Sequence, residues 1–424
     1  MYNLVQAAQD GWSGAVAEAV DYHLLGMSPA VVSHAPVVES AAESRVRGIN
    51  YALVHRSSFI TSRNPVMPTK VAKLRERVHS AVNFRLRIFA GGRLAAYCRP
   101  TSIAVLLTER CNARCLHCDI WKNRGKEATP GADHWKTTMR DLRRWLGPVQ
   151  VAFTGGEALL MPFAPEVVSH ASSVGLLVEH LTHGFWLDQS RVERMAMGRP
   201  WRVTISCDGI GATHDKIRGR EHFFEAVETT IQTLLRLRRE HKLGYIIRLK
   251  TVIMEHNLDD VPEVARFARA HGLEVFYQPI EQNYNTAEDP SWFLHSDNWP
   301  RDRERAVAAV QELIELKRHG FPIANSEHQL EVMIPYFRDP EKLLVLTQSH
   351  SAHDKPLCSA LTMMQIQANG DVKSCWCMDP IGNITQTPIR RIWEDRPRWW
   401  ESGCCLGRRM SEAEKAFVGL AVVS

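Results

Sequence analysis

The 424-residue chain has no run of eighteen apolar residues, so nothing in it reads as a membrane-spanning helix. Its opening, Met1-Tyr-Asn-Leu-Val-Gln-Ala-Ala-Gln-Asp10, has neither the basic stretch nor the apolar core of a secretory signal. Charge of one sign is also scarce. Fifty-two Lys and Arg face 47 Asp and Glu, and the net charge of +5 gives no case for a nucleic-acid partner. These absences point to a soluble, cytoplasmic protein. Ten cysteines would suit a disulfide framework in a small secreted chain, but in a reducing compartment they are free to bind metal. With 45% hydrophobic and 23% charged residues the composition is ordinary for a globular protein, long enough for two or three domains.

The densest group of cysteines lacks a fourth member. Cys111-Asn-Ala-Arg-Cys115-Leu-His-Cys118 places three thiols at Cys-x3-Cys-x2-Cys spacing, directly after the apolar run Thr101–Leu107, which reads as a buried strand. A tetrahedral zinc site, or an iron–sulfur cube held wholly by protein, wants four protein ligands. Three close thiolates therefore suggest a cubic cluster with one iron left for something other than protein. Three ordinary buried cysteines would be unusual in one polar loop. A zinc knuckle completed by His117 has poor spacing.

Further along, Gln150-Val-Ala-Phe-Thr-Gly155-Gly156-Glu157 is an apolar strand ending in two glycines and a carboxylate. Glycines let a backbone come close to a ligand, and Glu157 could accept hydrogen bonds from an ammonium group. Arg202-Val-Thr-Ile-Ser206-Cys207-Asp208-Gly209 and His214-Asp215-Lys-Ile-Arg218-Gly219 follow. Along the first of these, Cys207 alternates with Ser206 and Asp208 and should face the other way, into the core.

The cysteine spacing and the Gly-Gly-Glu element, in that order, resemble the radical S-adenosylmethionine (SAM) enzymes. The resemblance implies a [4Fe-4S] cluster on Cys111, Cys115 and Cys118, with SAM bound at its open iron. It implies that Gly155, Gly156 and Glu157 meet the SAM amino group, Ser206 and Asp208 the ribose, and Arg218 the carboxylate. The family often has Thr-Asn-Gly where this chain has Thr182-His183-Gly184, so His183 is a departure.

Strands near 103, 151, 178, 203, 248 and 276, separated by helical segments, predict a parallel sheet with right-handed crossovers. The expected fold is α/β: a partial (β/α)6 TIM-like barrel over 99–325, preceded by a helical region over 1–98 and followed by a small iron–sulfur domain over 326–424. In such sheets the site lies at the C-terminal ends of the strands. Within the first region Val71, Leu74, Val78, Val82, Leu86 and Phe89 recur at helical spacing, with Lys and Arg around them. A helix over 70–89 could rest on a membrane surface or an acidic partner. The plainer account, and the favoured one, is a helix packed on the main domain with a solvated basic face.

In the last region Gln367-Ala-Asn369-Gly370-Asp371 reads as a hairpin turn that would bring Cys358 and Cys375 together. These cysteines, with Cys377, Cys404 and Cys405, resemble the family's C-terminal extension, called SPASM when it carries two auxiliary clusters and twitch when it carries one. Five cysteines are too few for two fully ligated clusters. One auxiliary [4Fe-4S] cluster is expected, on Cys358, Cys375, Cys377 and either Cys404 or Cys405; a zinc ribbon is the alternative. Cys98 lies outside every motif and should be core.

The resemblance further implies reductive cleavage of SAM to a 5′-deoxyadenosyl radical, hydrogen abstraction from substrate, and a flavodoxin- or ferredoxin-type electron donor. No residue is singled out as catalytic. The substrate is expected to be a small molecule, sugar or lipid-like compound, because residues 1–98 lack the strand-rich pattern of a leader-peptide-binding domain. Maturation of a ribosomal peptide is the alternative. A non-catalytic iron–sulfur carrier would have no use for the SAM motifs.

Overall fold

A computed structural model describes residues 78, 82, 97–123, 128–284, 286, 289, 291–340, 362–374 and 379–397. Of the basic helix expected over 70–89, only Val78 and Val82 are described; both are helical and about half exposed. Cys358, Cys375, Cys377, Cys404 and Cys405 lie outside the described residues.

Six strands run parallel in chain order: β1 (Ser102–Leu106), β2 (Gln150–Thr154), β3 (Leu177–Thr182), β4 (Arg202–Ser206), β5 (Ile246–Ile253) and β6 (Glu274–Pro279). Helices connect them, among them α1 (Ala132–Leu146), α2 (Ala164–Ser173), α3 (Ser190–Met197), α4 (Ala212–Arg218), α5 (Phe223–Glu240) and α6 (Asp260–His271). Each longer helix is amphipathic. In α5, Phe223, Val227, Ile231 and Leu234 are fully buried while Glu225, Gln232, Arg236 and Arg239 face solvent. The sheet is open, so it is a partial barrel rather than a closed one.

Three more strands extend the same sheet beyond β1. The predicted hairpin is present: β7 (Met363–Ile366) pairs parallel with β1, β8 (Asp371–Lys373) returns antiparallel, and β9 (Gly382–Asn383) follows. Gly370, with φ +90°, makes the turn between β7 and β8, a conformation that favours glycine. The helix Ile389–Glu394 is fastened back to the barrel, where the Trp393 indole donates to the Cys98 carbonyl at 2.9 Å. Cys98 itself is buried core, as expected.

The parallel register puts paired residues on one face. Val203, Ile205, Leu249, Val275 and Tyr277 are buried beneath the helices. The concave face is polar: Glu179 on β3, Arg202, Thr204 and Ser206 on β4, Arg248 and Lys250 on β5, and Gln278 on β6. Among the described residues no helix is long and apolar enough to cross a membrane.

Candidate active site

All the motif residues within the barrel meet at the C-terminal ends of β1 to β4. Cys111, Cys115 and Cys118 are free, half-buried thiols in the loop leaving β1. Two backbone bonds dock this loop on the end of α4, from Arg114 N–H to the Arg218 carbonyl (3.1 Å) and from Leu116 N–H to the Ile217 carbonyl (2.9 Å). From the other side, the Asn283 and Asn298 amides donate to the Leu116 carbonyl at 3.1 and 3.0 Å. The Asp119 N–H donates to the Tyr284 carbonyl at 3.0 Å. Burial pushes the Cys111 thiol up to about 12 and the Cys118 thiol up to about 11, and raises Cys115 as well. As bare thiols they stay protonated near neutrality, so binding metal would release protons.

The two glycines have a reason that the sequence did not show. A Cβ on Gly155 would overlap the Thr108 carbonyl oxygen, and one on Gly156 the Arg110 carbonyl oxygen. At that contact Gly156 N–H donates to Thr108 O and Glu157 N–H to Arg110 O, both at 2.8 Å. The close approach is thus to the start of the cysteine loop, rather than to a ligand alone. Glu157 is buried and already engaged. One carboxylate oxygen accepts from Leu159 N–H (3.1 Å), the other from the Thr182 hydroxyl (2.9 Å) and His183 N–H (2.8 Å). Burial outweighs these three bonds and pushes its pKa up to about 7.

His183, the departure noted above, is a brace. Its Nδ1 accepts from Phe185 N–H at 2.9 Å, which leaves Nε2–H to donate to Asn112 Oδ1 at 2.6 Å within the cysteine loop. Burial pulls its pKa down to about 3, so the ring is neutral. Only a neutral tautomer satisfies both bonds.

Asp208 and Arg218 face each other in the buried interior. Arg218 Nη2 lies 2.6 Å from Asp208 Oδ2, a charge pairing rather than an aligned hydrogen bond, and Nη1 donates to Cys115 Sγ at 3.5 Å. Asp208 Oδ1 accepts from Val252 N–H at 2.9 Å. Burial raises the Asp208 pKa, but Arg218, with His117, His214 and the Val252 N–H, outweighs it and holds the carboxyl below the usual carboxylate range. Ser206 stands apart from this pair, half-buried on the concave face. Cys207 lies in the core beneath the helices.

Several buried polar atoms around the loop have no partner among the described residues: Arg218 Nε, His117 Nδ1 and His214 Nε2. Buried polar groups are normally satisfied. Three reduced thiols beside a guanidinium, ringed by unsatisfied nitrogens, form a donor set that fits a cluster with a polar ligand beside it.

The sequence model of the Radical SAM superfamily matches residues 105–277, from β1 to β6. This chain carries a radical SAM domain. It is an enzyme of the radical SAM type, whose family uses a [4Fe-4S] cluster and SAM. The chain is 24% identical over 306 residues to the AdoMet-dependent heme synthase of Methanosarcina barkeri, covering 70% of this chain and 82% of that protein. It is 30% identical over 190 residues to the sporulation killing factor maturation protein SkfB of Bacillus subtilis, covering 45% of this chain and 44% of that protein. Among solved structures, that of Streptococcus suis SuiB bound to its precursor peptide SuiA superposes with a TM-score of 0.53 at 14% identity, over 82% of this chain and 74% of SuiB. That likeness concerns the fold.

The polar concave face escaped the sequence analysis. Its signal was present, since Arg248 and Lys250 alternate with Ile247 and Leu249 in a strand that otherwise reads as continuously apolar.

Proposed function

We propose that Cys111, Cys115 and Cys118 hold the [4Fe-4S] cluster, and that SAM binds beside it against Gly155-Gly156-Glu157, Ser206 and the Asp208–Arg218 pair. When bound, the reduced cluster and SAM supply the one-electron chemistry that starts hydrogen abstraction from an unreactive C–H bond. The protein's own part is to hold, orient and shield. Arg218 brings a positive charge to Cys115, Asp208 fixes Arg218, and His183 ties the Glu157 turn to the cysteine loop through Asn112. Cys358, Cys375, Cys377 and one of Cys404 and Cys405 are assigned to an auxiliary cluster on the family resemblance. The electron donor is assigned as flavodoxin- or ferredoxin-type on the same ground.

The substrate proposed is a small carboxylate-bearing molecule of the tetrapyrrole kind. The observation that carries this is the reach of the heme synthase match, whose 306 residues extend well beyond the 173 of the domain shared by the whole family. A peptide substrate is the second reading, favoured by the higher identity to SkfB over a shorter stretch.

The test is anaerobic reconstitution with iron, sulfide, SAM and reductant. About eight iron atoms per chain and release of 5′-deoxyadenosine are expected. Changing Cys111, Cys115 and Cys118 together to Ala should remove about half of the iron and all of the 5′-deoxyadenosine. A wild-type protein that takes up zinc and no iron would sink the assignment. Turnover stimulated by peptides and not by porphyrins would move the substrate to the second reading.

A further inference from the structure

The concave face carries an unmatched charge. Three carboxylates in and around it are each paired with a guanidinium: Glu179 with Arg202 at 2.5 Å, Asp208 with Arg218 at 2.6 Å, and Glu274 with Arg248 at 2.6 Å. Glu179 is further satisfied by the Thr204 hydroxyl at 2.5 Å and the Gln150 amide at 2.8 Å. Lys250 is the cation left over. It lies in the middle of β5, half-buried, between Ser206 on β4 and Phe276 on β6 in the sheet register. Its ammonium makes no hydrogen bond or ion pair among the described residues. Burial pulls it down, with only partial relief from Glu179 and Asp208.

Its surroundings are those of a binding site rather than of a packed core. One step further along the same face, Gln278 is 4% exposed and its Oε1 has no partner among the described residues. The Ser206 hydroxyl likewise makes no hydrogen bond there. Three polar side chains on adjacent strands, each able to bond and none bonded, converge on the concave side. A desolvated ammonium with no ion pair of its own is costly, and an arriving anion recovers part of that cost.

We infer that Lys250 is the substrate-anchoring residue of this enzyme: its ammonium receives a carboxylate of the substrate, with Gln278 beside it. The inference rests on the carboxylate-bearing tetrapyrrole reading above and names the residue that would select for the carboxylate. Lys250 is a better candidate than Arg218, whose guanidinium is already divided between Asp208 and Cys115.

The experiment uses full-length, reconstituted protein with protoporphyrin IX and its dimethyl ester, followed by fluorescence titration under anaerobic conditions. The pair differs only in its carboxylates, and neither contains iron that could ligate thiols. Wild type should bind the diacid at least about tenfold more tightly than the ester, the size expected of one charge-assisted hydrogen bond. Lys250→Met should narrow that preference to within about twofold, and Lys250→Arg should restore most of it. SAM affinity, measured on the same samples, should stay within about twofold throughout. A preference that survives Lys250→Met overturns the anchor while the substrate reading stands. A loss of SAM affinity in its place would give Lys250 to the carboxylate of SAM, and overturns the anchor too. Wild type that binds neither porphyrin removes the tetrapyrrole reading and the anchor with it. Should the Met variant fail to fold, Lys250→Arg and Lys250→Gln carry the same comparison.

Discussion

Replacing Gly156 by alanine separates two accounts of the Gly-Gly turn. If the glycines serve only a ligand, alanine weakens SAM binding and leaves the iron-free protein as stable as before. The structure predicts otherwise. The added methyl would overlap the Arg110 carbonyl oxygen and crowd that of Glu109, both of them backbone and neither able to swing aside. Overpacking of this kind costs about 1–3 kcal/mol. The displaced turn also strains the bonds Gly156 N–H to Thr108 O and Glu157 N–H to Arg110 O, each worth about 0.5–1.5 kcal/mol net. Together they come to about 2–6 kcal/mol, a large share of the ~5–15 kcal/mol that holds a typical domain. Urea unfolding of iron-free wild type and Gly156→Ala, followed by circular dichroism, reads the difference directly. A variant whose iron-free form unfolds at the wild-type midpoint, while its SAM affinity falls, would refute the docking account. The expected result is a lower midpoint without any cofactor, and poor iron uptake on reconstitution because the cysteine loop has lost its seat.

Three other outcomes can be checked. Glu179→Gln should cost about 3–5 kcal/mol, because it strands the buried Arg202 guanidinium; the double change with Arg202→Met should recover most of that. His180 is fully buried with neither ring nitrogen partnered, and burial holds its pKa down to about 3 against an ordinary value near 6.5. Since only the unfolded chain takes up that proton between pH 6.5 and 3, stability should fall as pH drops through this window; His180→Leu should flatten the fall, and an unchanged acid profile would count against it. Burial raises the Glu179 carboxyl, but Arg202, with the Thr204 hydroxyl and Arg248, overrides this and holds it down to about 2, so its contribution is full above about pH 4.5 and is lost as pH falls towards 2. The Glu179→Gln variant should therefore lose its stability deficit relative to wild type at the acid end of a pH series.

The six parallel strands and the placing of the motifs at their C-terminal ends were legible because each signal is local: an apolar run, a glycine pair, a hairpin turn at Gly370. What the sequence did not disclose depends on contacts between distant segments. The overlap of Gly155 and Gly156 with Thr108 and Arg110 joins residues some 45 positions apart, and only the parallel pairing of β1 with β2 brings them together. The same is true of His183, whose partner Asn112 sits 71 residues earlier. Nor could the pairing of Asp208 with Arg218 and the Val252 N–H be read from the sequence, since it joins the end of β4 to α4 and to β5. The concave charges were hidden by their pairing, since Glu179, Arg202, Arg248 and Glu274 read one at a time as scattered polar residues.

The position of β1 also bears on how the chain is made. Its two neighbours in the sheet are reached at residue 150 on one side and only at residue 363 on the other. During synthesis from the N-terminus, the Ser102–Leu106 backbone therefore waits with one row of hydrogen-bonding groups open until most of the chain has emerged. Long-range parallel pairing is slow, and an open apolar edge recruits other strands. A chain cut short before Met363 would keep its cysteine loop and the Gly-Gly-Glu turn, yet lose the strand that pairs with that edge among the described residues. Such a fragment would be prone to aggregate, so the C-terminal hairpin is the piece that covers the β1 edge of the partial barrel.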